Sequence, residues 1–319
     1  MTGVQTCALP ISRHRGDPRC RDAGLWQTPA HAPSAATGTP AFLDAVDPDR
    51  YAAGWPLTPV CETLLAVDEL LGAVRATLEA QGRSNVVFVL TADNGMSWGE
   101  RGWPAKRVAW AVPMPLFVRW TAGFGDRPRT VTASATSTDI APTLCAIAGC
   151  TMGPFPGGRQ VSGRSLLPLV TGGRRSLDRV AIATEHLVPA ADPYPSPPWK
   201  GLRTTEHAAI GRWSYAVYPT GERELYDLRA DPWQLHNVAD DPAYRGTWEA
   251  VNRLWWQLHY PRPWQPFRPT GWWPPVLGGC AEEELRCPDG DAGLKAGRGG
   301  ALEHLWDLPV PWAVQLPEG

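Results

Sequence analysis

A short apolar strand that runs into an aspartate and an asparagine constrains this chain more than any other feature. Residues 86–90 are continuously apolar, which is typical of a strand buried on both faces in the parallel sheet of an α/β protein. Ligand and catalytic groups in such sheets collect at the carboxyl ends of the strands. Asp93 and Asn94 stand at that end, and their oxygen atoms suit Ca²⁺ or Mg²⁺. Asn94-Gly95 is equally typical of a β-hairpin turn, so this pattern alone leaves both interpretations open.

The residues after Gly95 favour the metal site. A hairpin requires an alternating partner strand directly after the turn, whereas residues 96–106 are broken by glycines and do not alternate. A second short apolar strand is predicted at residues 112–120. Lys106 stands out because only three of the 30 basic residues are lysine: Lys106, Lys200 and Lys295. A compact ammonium suits a point contact to an oxyanion, although a solvated surface lysine is the ordinary interpretation.

The order of these motifs resembles the sulfatase family of the alkaline-phosphatase-like superfamily. The shared order is a strand, Asp-Asn-Gly, Gly-Glu-x-Gly, a lysine and a strand entered through Val-Pro. The resemblance implies that Asp93 and Asn94 bind an active-site Ca²⁺, with Mg²⁺ as the alternative, and that Lys106 binds the sulfate group. It also assigns His31 to the family's Pro-His-x-Pro segment, whose histidine contacts sulfate or assists the leaving group. Ala30 replaces the usual first proline, and an ordinary loop histidine is the alternative.

An amphipathic helix is predicted before the strand. Apolar residues recur at spacings of four and three between residues 60 and 78, which places them on one face. Thr58 can cap the helix, Pro59 suits its first turn and Gly82 can end it. A helix followed by a buried strand is the repeating unit of a layered α/β sandwich, and we expect this apolar face to be core.

Further segments resemble the family's Asp-Ile-x-Pro-Thr-Leu helix, Gly-x-Ser-Leu-Leu-Pro segment and Glu-Leu-Tyr-Asp-Leu signature: residues 139–144, 163–168 and 224–228. In the first of these, Asp139 is predicted to cap a helix rather than to act as a catalytic acid. The expected fold class is α/β: an incomplete alkaline-phosphatase-like α/β/α sandwich with a small C-terminal α+β subdomain.

The chain is expected to divide into four parts. Residues 1–12 begin with a segment that resembles a translated sequencing adapter, and they are excluded from the fold. Residues 13–180 resemble the later part of a sulfatase catalytic domain, and residues 181–245 its C-terminal subdomain. Residues 246–319 form a tail rich in tryptophan and proline. Its tryptophans either pack on the sandwich or stack on sugar rings.

The family's nucleophile motif is missing. Sulfatases carry Cys-x-Pro-x-Arg or Ser-x-Pro-x-Arg, whose first residue becomes formylglycine, and this chain contains neither pattern. No strand ending in the family's Asp-Asp metal pair is found before residue 86. We therefore expect an amino-terminally truncated fragment that is inactive alone and binds Ca²⁺ weakly.

The remaining expectations concern partners and alternatives. A net charge of −2 gives no indication of a nucleic-acid partner, and no apolar run is long enough for a membrane span. Seven cysteines, an odd number, predict no disulfide framework; Cys280 and Cys287 can pair or remain free thiols. The expected partner is a small-molecule or glycan sulfate ester. The alternatives are a phosphate or phosphonate ester hydrolase of the same superfamily, or a non-catalytic fragment that binds sulfated glycans. Periplasmic, secreted and cytoplasmic locations stay open, as does the oligomeric state.

Overall fold

The computed structural model describes residues 11–21, 28–31, 36–45, 57–154, 161–186 and 197–259. Short 3-10 helices at Ile11–His14, Pro18–Cys20, Pro29–His31 and Ala41–Ala45 precede the longest element, helix α1 at Leu57–Ala80. Strands β1 to β4 follow at Phe88–Thr91, Ser97–Trp98, Pro104–Ala105 and Leu116–Arg119, and short helices α2 to α4 at Thr121–Phe124, Ile140–Ile147 and Leu167–Val170. Within these stretches no helix combines the length and apolarity needed to cross a membrane.

Helix α1 ends where the sequence predicts. Gly82 has a φ of +69°, its N–H donates to the Glu79 carbonyl at 2.9 Å, and the next N–H donates to the Leu78 carbonyl at 2.8 Å. This pair of bonds is a Schellman cap, which requires the left-handed conformation that glycine adopts freely. The apolar face of the helix is only partly core, contrary to expectation, because Leu64 is 51% exposed and Val74 is 42% exposed.

The start of α1 and the cysteine chemistry differ from the prediction. The helix already includes Leu57, and the Thr58 hydroxyl donates to the Cys20 carbonyl at 3.2 Å instead of capping the helix. A disulfide joins Cys20 to Cys61, and a second joins Cys145 to Cys150. The expectation of no disulfide framework is therefore wrong for these four cysteines, since an odd total still leaves room for pairs. The proposed Cys280–Cys287 pair lies outside the described residues.

Strand β1 has a different neighbour from the one expected. It pairs antiparallel with β4, from Phe88 opposite Arg119 to Thr91 opposite Leu116, and its apolar side chains are half-buried. The predicted parallel strand, fully buried on both faces, is thus wrong for the described residues. A run of apolar residues predicts that a strand is buried, but it does not predict whether the neighbouring strand is parallel or antiparallel.

Asp139 is buried and stands at the N-cap position of helix α3, as the sequence predicts, but its side chain makes no capping bond to that helix. It instead completes the capping box of the preceding 3-10 turn, Ser137–Asp139, where the carboxylate accepts the Thr136 N–H at 2.8 Å. The carboxylate also accepts the Arg164 N–H at 2.7 Å and two bonds from the Arg179 guanidinium at 2.7 and 3.0 Å. Burial alone would raise the pKa of Asp139, but these hydrogen bonds outweigh it and lower the pKa below the usual 3.8. Asp139 is therefore a structural anion.

The second sheet contains four antiparallel strands in chain order, β5 to β8, at Ala181–His186, Trp199–Thr204, Trp213–Val217 and Arg223–Asp227. Helix α5 (Arg245–His259) covers one face, and the core between them includes Leu202, Tyr215, Leu225, Val251 and Trp255. Trp248 and Trp256 pack against the same core, so the tryptophans of α5 are packing residues, although they pack on this four-stranded sheet rather than on the predicted sandwich. Trp264, Trp272 and Trp273 lie outside the described residues.

The opposite face of this sheet meets the segment that follows Lys106. Trp199, Ala216 and Tyr218 form a buried cluster with Ala109. The Trp199 indole N–H also donates to the Arg107 carbonyl at 2.9 Å. The sheet is thus in direct contact with the chain around the predicted sulfate-binding lysine.

Candidate active site

The Asp-Asn-Gly segment at the end of β1 is not a hairpin turn. A tight hairpin turn of the Asn-Gly type needs positive φ angles at both residues, and neither Asn94 nor Gly95 has one. Glycine is required here for a different reason. A Cβ on Gly95 would lie 2.5 Å from the Pro113 carbonyl oxygen and closer still to that of Ala111. The backbone at Gly95 therefore packs directly on residues 111–113, a close approach that only glycine permits.

Asn94 and Lys106 lie together. The Lys106 ammonium donates to the Asn94 Oδ1 at 2.7 Å, and the Asn94 amide donates to the Gly95 carbonyl at 2.9 Å. Strands β2 and β3 pair antiparallel, with Ser97 opposite Ala105, so these two residues flank the open end of a small hairpin. Lys106 and Asp93 are exposed, which leaves a cation and a carboxylate accessible beside the Asn94 amide.

The hairpin between Asn94 and Lys106 is held by polar contacts that sequence reasoning missed. The Glu100 carboxylate accepts the Ser97 hydroxyl at 3.0 Å and the Trp98 N–H. The Ser97 hydroxyl in turn accepts the Trp110 indole N–H at 3.2 Å. Glu100 therefore organises the turn and is not free to act as a catalytic acid. The Gly-Glu-x-Gly spacing signals a turn, but it does not reveal these partners.

His31 is buried beside the hairpin. The Thr28 N–H donates to the His31 Nδ1 at 2.8 Å, and the Nε2 lies 3.3 Å from the Trp98 carbonyl oxygen. Since Nδ1 accepts a hydrogen bond, the neutral ring carries its proton on Nε2, directed at Trp98. Its hydrogen bonds among the described residues are with Thr28 and Trp98 and not with Asn94 or Lys106, so the structure brings His31 near the hairpin rather than into the Asn94–Lys106 pair.

The oxygen donors at the end of β1 are of the chemical type that binds a hard cation. A carboxylate from Asp93 and an amide oxygen from Asn94 are ligands that Ca²⁺ and Mg²⁺ prefer. The Asn94 Oδ1 accepts the Lys106 ammonium in this structure, so it can bind a metal only if that bond is exchanged. Across the described stretches, no group of three or more His, Cys, Asp or Glu side chains is placed to hold a metal. Two donors are far fewer than the six to eight oxygens around a typical Ca²⁺ ion, so these residues can supply only part of a shell.

Comparison with known proteins now places this geometry in a family. A family model described as N-sulphoglucosamine sulphohydrolase, C-terminal, matches residues 99–260, and a Sulfatase model matches residues 24–150. N-acetylglucosamine-6-O-sulfatase from Bacteroides thetaiotaomicron is 29% identical over 192 residues, which cover 57% of this chain and 32% of that protein. The chain spans about a third of the length of the curated relatives it matches.

Two solved structures show the same fold. One is a protein in complex with its substrate, D-glucosamine-2-N,6-O-disulfate; it is 27% identical with a TM-score of 0.53, and the match covers 64% of this chain and 40% of that one. The other is a phosphonate monoester hydrolase of Agrobacterium radiobacter, 20% identical with a TM-score of 0.52 over 67% of this chain and 42% of that one. These structures confirm the predicted fold class. The chain belongs to the sulfatase family and has the alkaline-phosphatase-like fold.

Proposed function

We propose that this chain is part of an enzyme that hydrolyses sulfate monoesters, with Lys106 and Asn94 at the sulfate-binding centre. The observation that carries the proposal is the 2.7 Å hydrogen bond between these side chains at the end of β1, in a chain of the sulfatase family. The cation and the amide are 12 residues apart in the sequence, yet the β2–β3 hairpin places them in contact.

Each residue of the site has a distinct proposed role. The exposed ammonium of Lys106 binds a sulfate oxygen and neutralises charge that shifts onto it in the transition state. Asp93 and Asn94 supply two oxygen ligands for a divalent cation, Ca²⁺ in preference to Mg²⁺, which when bound would neutralise further sulfate charge. His31 is buried and directs its Nε2 proton at the Trp98 carbonyl, so its proposed role, a sulfate contact or a proton donor to the leaving group, requires that bond to break.

We infer that the 319-residue chain alone does not hydrolyse sulfate esters. Family members attack sulfur with a formylglycine, and this covalent route divides one difficult step into two. The motif that yields that nucleophile is absent from the sequence. Hydrolysis of an aryl sulfate by the purified chain, abolished by Asp93→Ala, would contradict this inference.

The proposed substrate class is a sulfated sugar. Support comes from the structural neighbour solved in complex with its substrate, a glucosamine disulfate, and from the N-acetylglucosamine-6-O-sulfatase relative. An aryl sulfate is a simpler probe of the same sulfate ester bond.

Titration with inorganic sulfate and with glucosamine 6-O-sulfate tests the proposal without requiring turnover. We expect weak binding that is lost in Lys106→Met, largely kept in Lys106→Arg, and kept in Lys200→Met, which removes the lysine of β6 as a matched control. Equal binding by the wild type and Lys106→Met would refute the assigned role. Tighter binding of methylphosphonate than of sulfate would instead favour a phosphonate ester hydrolase.

Calorimetry with Ca²⁺ tests the metal ligands separately. Because Asp93 and Asn94 supply only part of a shell, we expect affinity well short of submicromolar, abolished by Asp93→Ala. Submicromolar binding, or binding unchanged by that substitution, would show that the cation is held elsewhere.

A further inference from the structure

The tip of the β2–β3 hairpin has an unusual backbone. Gly99 and Gly102 have φ angles of 103° and 75°, and Arg101 between them has a φ of 56°. Glycine tolerates this left-handed region, but a residue with a long side chain rarely adopts it. A conformation of this kind persists only where the surrounding structure imposes it. The contacts of Arg101 identify what imposes it here.

The Arg101 side chain is buried in the sheet of β5 to β8. It is 4% exposed, and its Nη1 lies 3.0 Å from the Tyr226 hydroxyl and 3.3 Å from the Glu224 carboxylate. The guanidinium carbon lies 4.2 Å from the centre of the Trp110 ring and 4.9 Å from that of the Tyr226 ring. Such stacking is specific to the flat guanidinium. Arg101 is therefore held between Trp110, which follows the hairpin in the sequence, and strand β8.

The pocket that receives Arg101 is built for one cation. Glu224 is 1% exposed, and its carboxylate accepts hydrogen bonds from the hydroxyls of Tyr218 and Tyr226. Burial and the charge of Glu224 raise the pKa of both phenols well above 10, so both remain protonated donors. Without Arg101, the pocket would retain a buried carboxylate with no opposite charge, which is strongly unfavourable.

The hairpin links this anchored tip to the site. Ser97 pairs with Ala105 and Trp98 with Pro104, so the tip at residues 99–102 and the Asn94–Lys106 pair lie at opposite ends of the same short ladder. A two-pair ladder is too short to be stable alone. Its register, and with it the position of the ammonium, must depend on contacts that hold the tip.

We propose that Arg101 and Glu224 are positioning residues: strand β8 fixes the tip of the hairpin and thereby sets where Lys106 lies against Asn94. The inference rests on the proposed function only in giving Lys106 its contact with sulfate. The inference adds that the position of Lys106 depends on the C-terminal sheet, because Arg101 binds Glu224, which lies 123 residues further along the chain.

The scarcity of lysine makes the proposal directly measurable. Reductive ¹³C-methylation of the full chain gives NMR signals from three lysines and from the terminal α-amino group, and Lys106→Arg identifies the signal of Lys106. In Arg101→Met and Glu224→Gln, we expect the Lys106 signal to shift towards its position in the urea-unfolded protein or to broaden. The Lys200 signal should stay where it is in the wild type. Arg223→Met is the matched control, because it removes an arginine of the same strand that stacks on Trp248 instead. Sulfate affinity should fall in the first two variants and not in the control.

The outcomes separate the two proposals. An unchanged Lys106 signal in both folded variants would overturn the positioning role, whatever the protein binds. Absence of sulfate binding by the wild type would overturn the proposed function while the NMR result still decides the positioning role. Arg101→Lys keeps the charge but not the flat guanidinium, and we expect partial recovery of the signal. If all three variants unfold completely, Arg101 and Glu224 are general stability determinants and the specific positioning role is wrong.

Discussion

One methyl group tests the backbone packing that places Asn94. In Gly95→Ala, the new Cβ would meet the Pro113 carbonyl oxygen at 2.5 Å and the Ala111 carbonyl carbon at 2.8 Å, where ordinary contact begins at 3.4 Å. Both neighbours are backbone atoms, which cannot rotate away as the end of a flexible side chain can. The Ala111 carbonyl oxygen would lie closer still, so residues 111–113 or the strand end must shift by more than about 1 Å.

The structure also sets the magnitude. Overpacking of this kind typically costs about 1–3 kcal/mol, and the rigid neighbours place Gly95→Ala towards the upper end. Gly72→Ala is the matched control, since Gly72 lies within α1 and its Cβ would meet nothing within 4 Å. Alanine there restricts the unfolded chain and should raise the free energy of unfolding by about 0.4–1 kcal/mol. The same substitution should thus have opposite signs at the two sites.

Urea unfolding followed by tryptophan fluorescence measures both changes as shifts in the transition midpoint, provided the slopes agree. The Lys106 NMR signal should also move in Gly95→Ala and stay in place in Gly72→Ala. A Gly95→Ala protein as stable as the wild type would refute the reasoning. It would mean that residues 111–113 yield freely and do not fix the end of β1.

Three further substitutions test the surrounding fold. The pKa of Asp139 is lowered below 3.8 in the folded protein, so its ionised form stabilises the fold above pH 3.8, and this contribution is lost as the pH falls through the folded pKa. In Asp139→Asn, the free energy of unfolding should therefore fall less steeply at acid pH than in the wild type. An equally steep fall in the variant would count against a structural role of the ionised carboxylate. Removing the Cys20–Cys61 disulfide, which spans 41 residues, should lower the free energy of unfolding by about 4 kcal/mol in the chain-entropy model, measured by urea unfolding of the double alanine variant; insensitivity to its loss would argue against the bond. Gly163→Ala should lower the free energy of unfolding by about 1–3 kcal/mol, because its Cβ would overlap the Thr138 carbonyl. Calorimetric melting measures this loss, and an unchanged melting temperature would contradict the expected overlap.

Local signals in the sequence proved reliable where the chemistry is local. Gly82 ends α1 through two backbone bonds to the last turn, and Asp139 closes the 3-10 turn before α3 by accepting the Thr136 N–H. Both depend on residues within a few positions, which a sequence displays directly. The Arg179 guanidinium on Asp139 comes from 40 residues away, and nothing in its surroundings marks it as the partner.

Long-range pairing is the part that the sequence could not supply. The apolar run at residues 86–90 records how strongly β1 needs burial, but an antiparallel neighbour such as β4 satisfies one edge as well as a parallel strand would. Arg101 presented the same difficulty, since a charged residue in a glycine-broken loop is ordinarily solvated. Its burial became evident only when strand β8 placed Glu224 and Tyr226 beneath it.

The half-buried state of β1 also bears on how much of the site this chain can form. The contacts that place Lys106 against Asn94 lie elsewhere: the close packing of Gly95 on residues 111–113, the Glu100 bonds inside the hairpin and the Arg101 anchor in the sheet. None of these uses the second edge of β1. The Asn94–Lys106 pair can therefore hold its geometry although β1 is incompletely covered by the described residues. The proposed metal shell would need further oxygen donors, and these would approach Asp93 from the exposed side of the strand end.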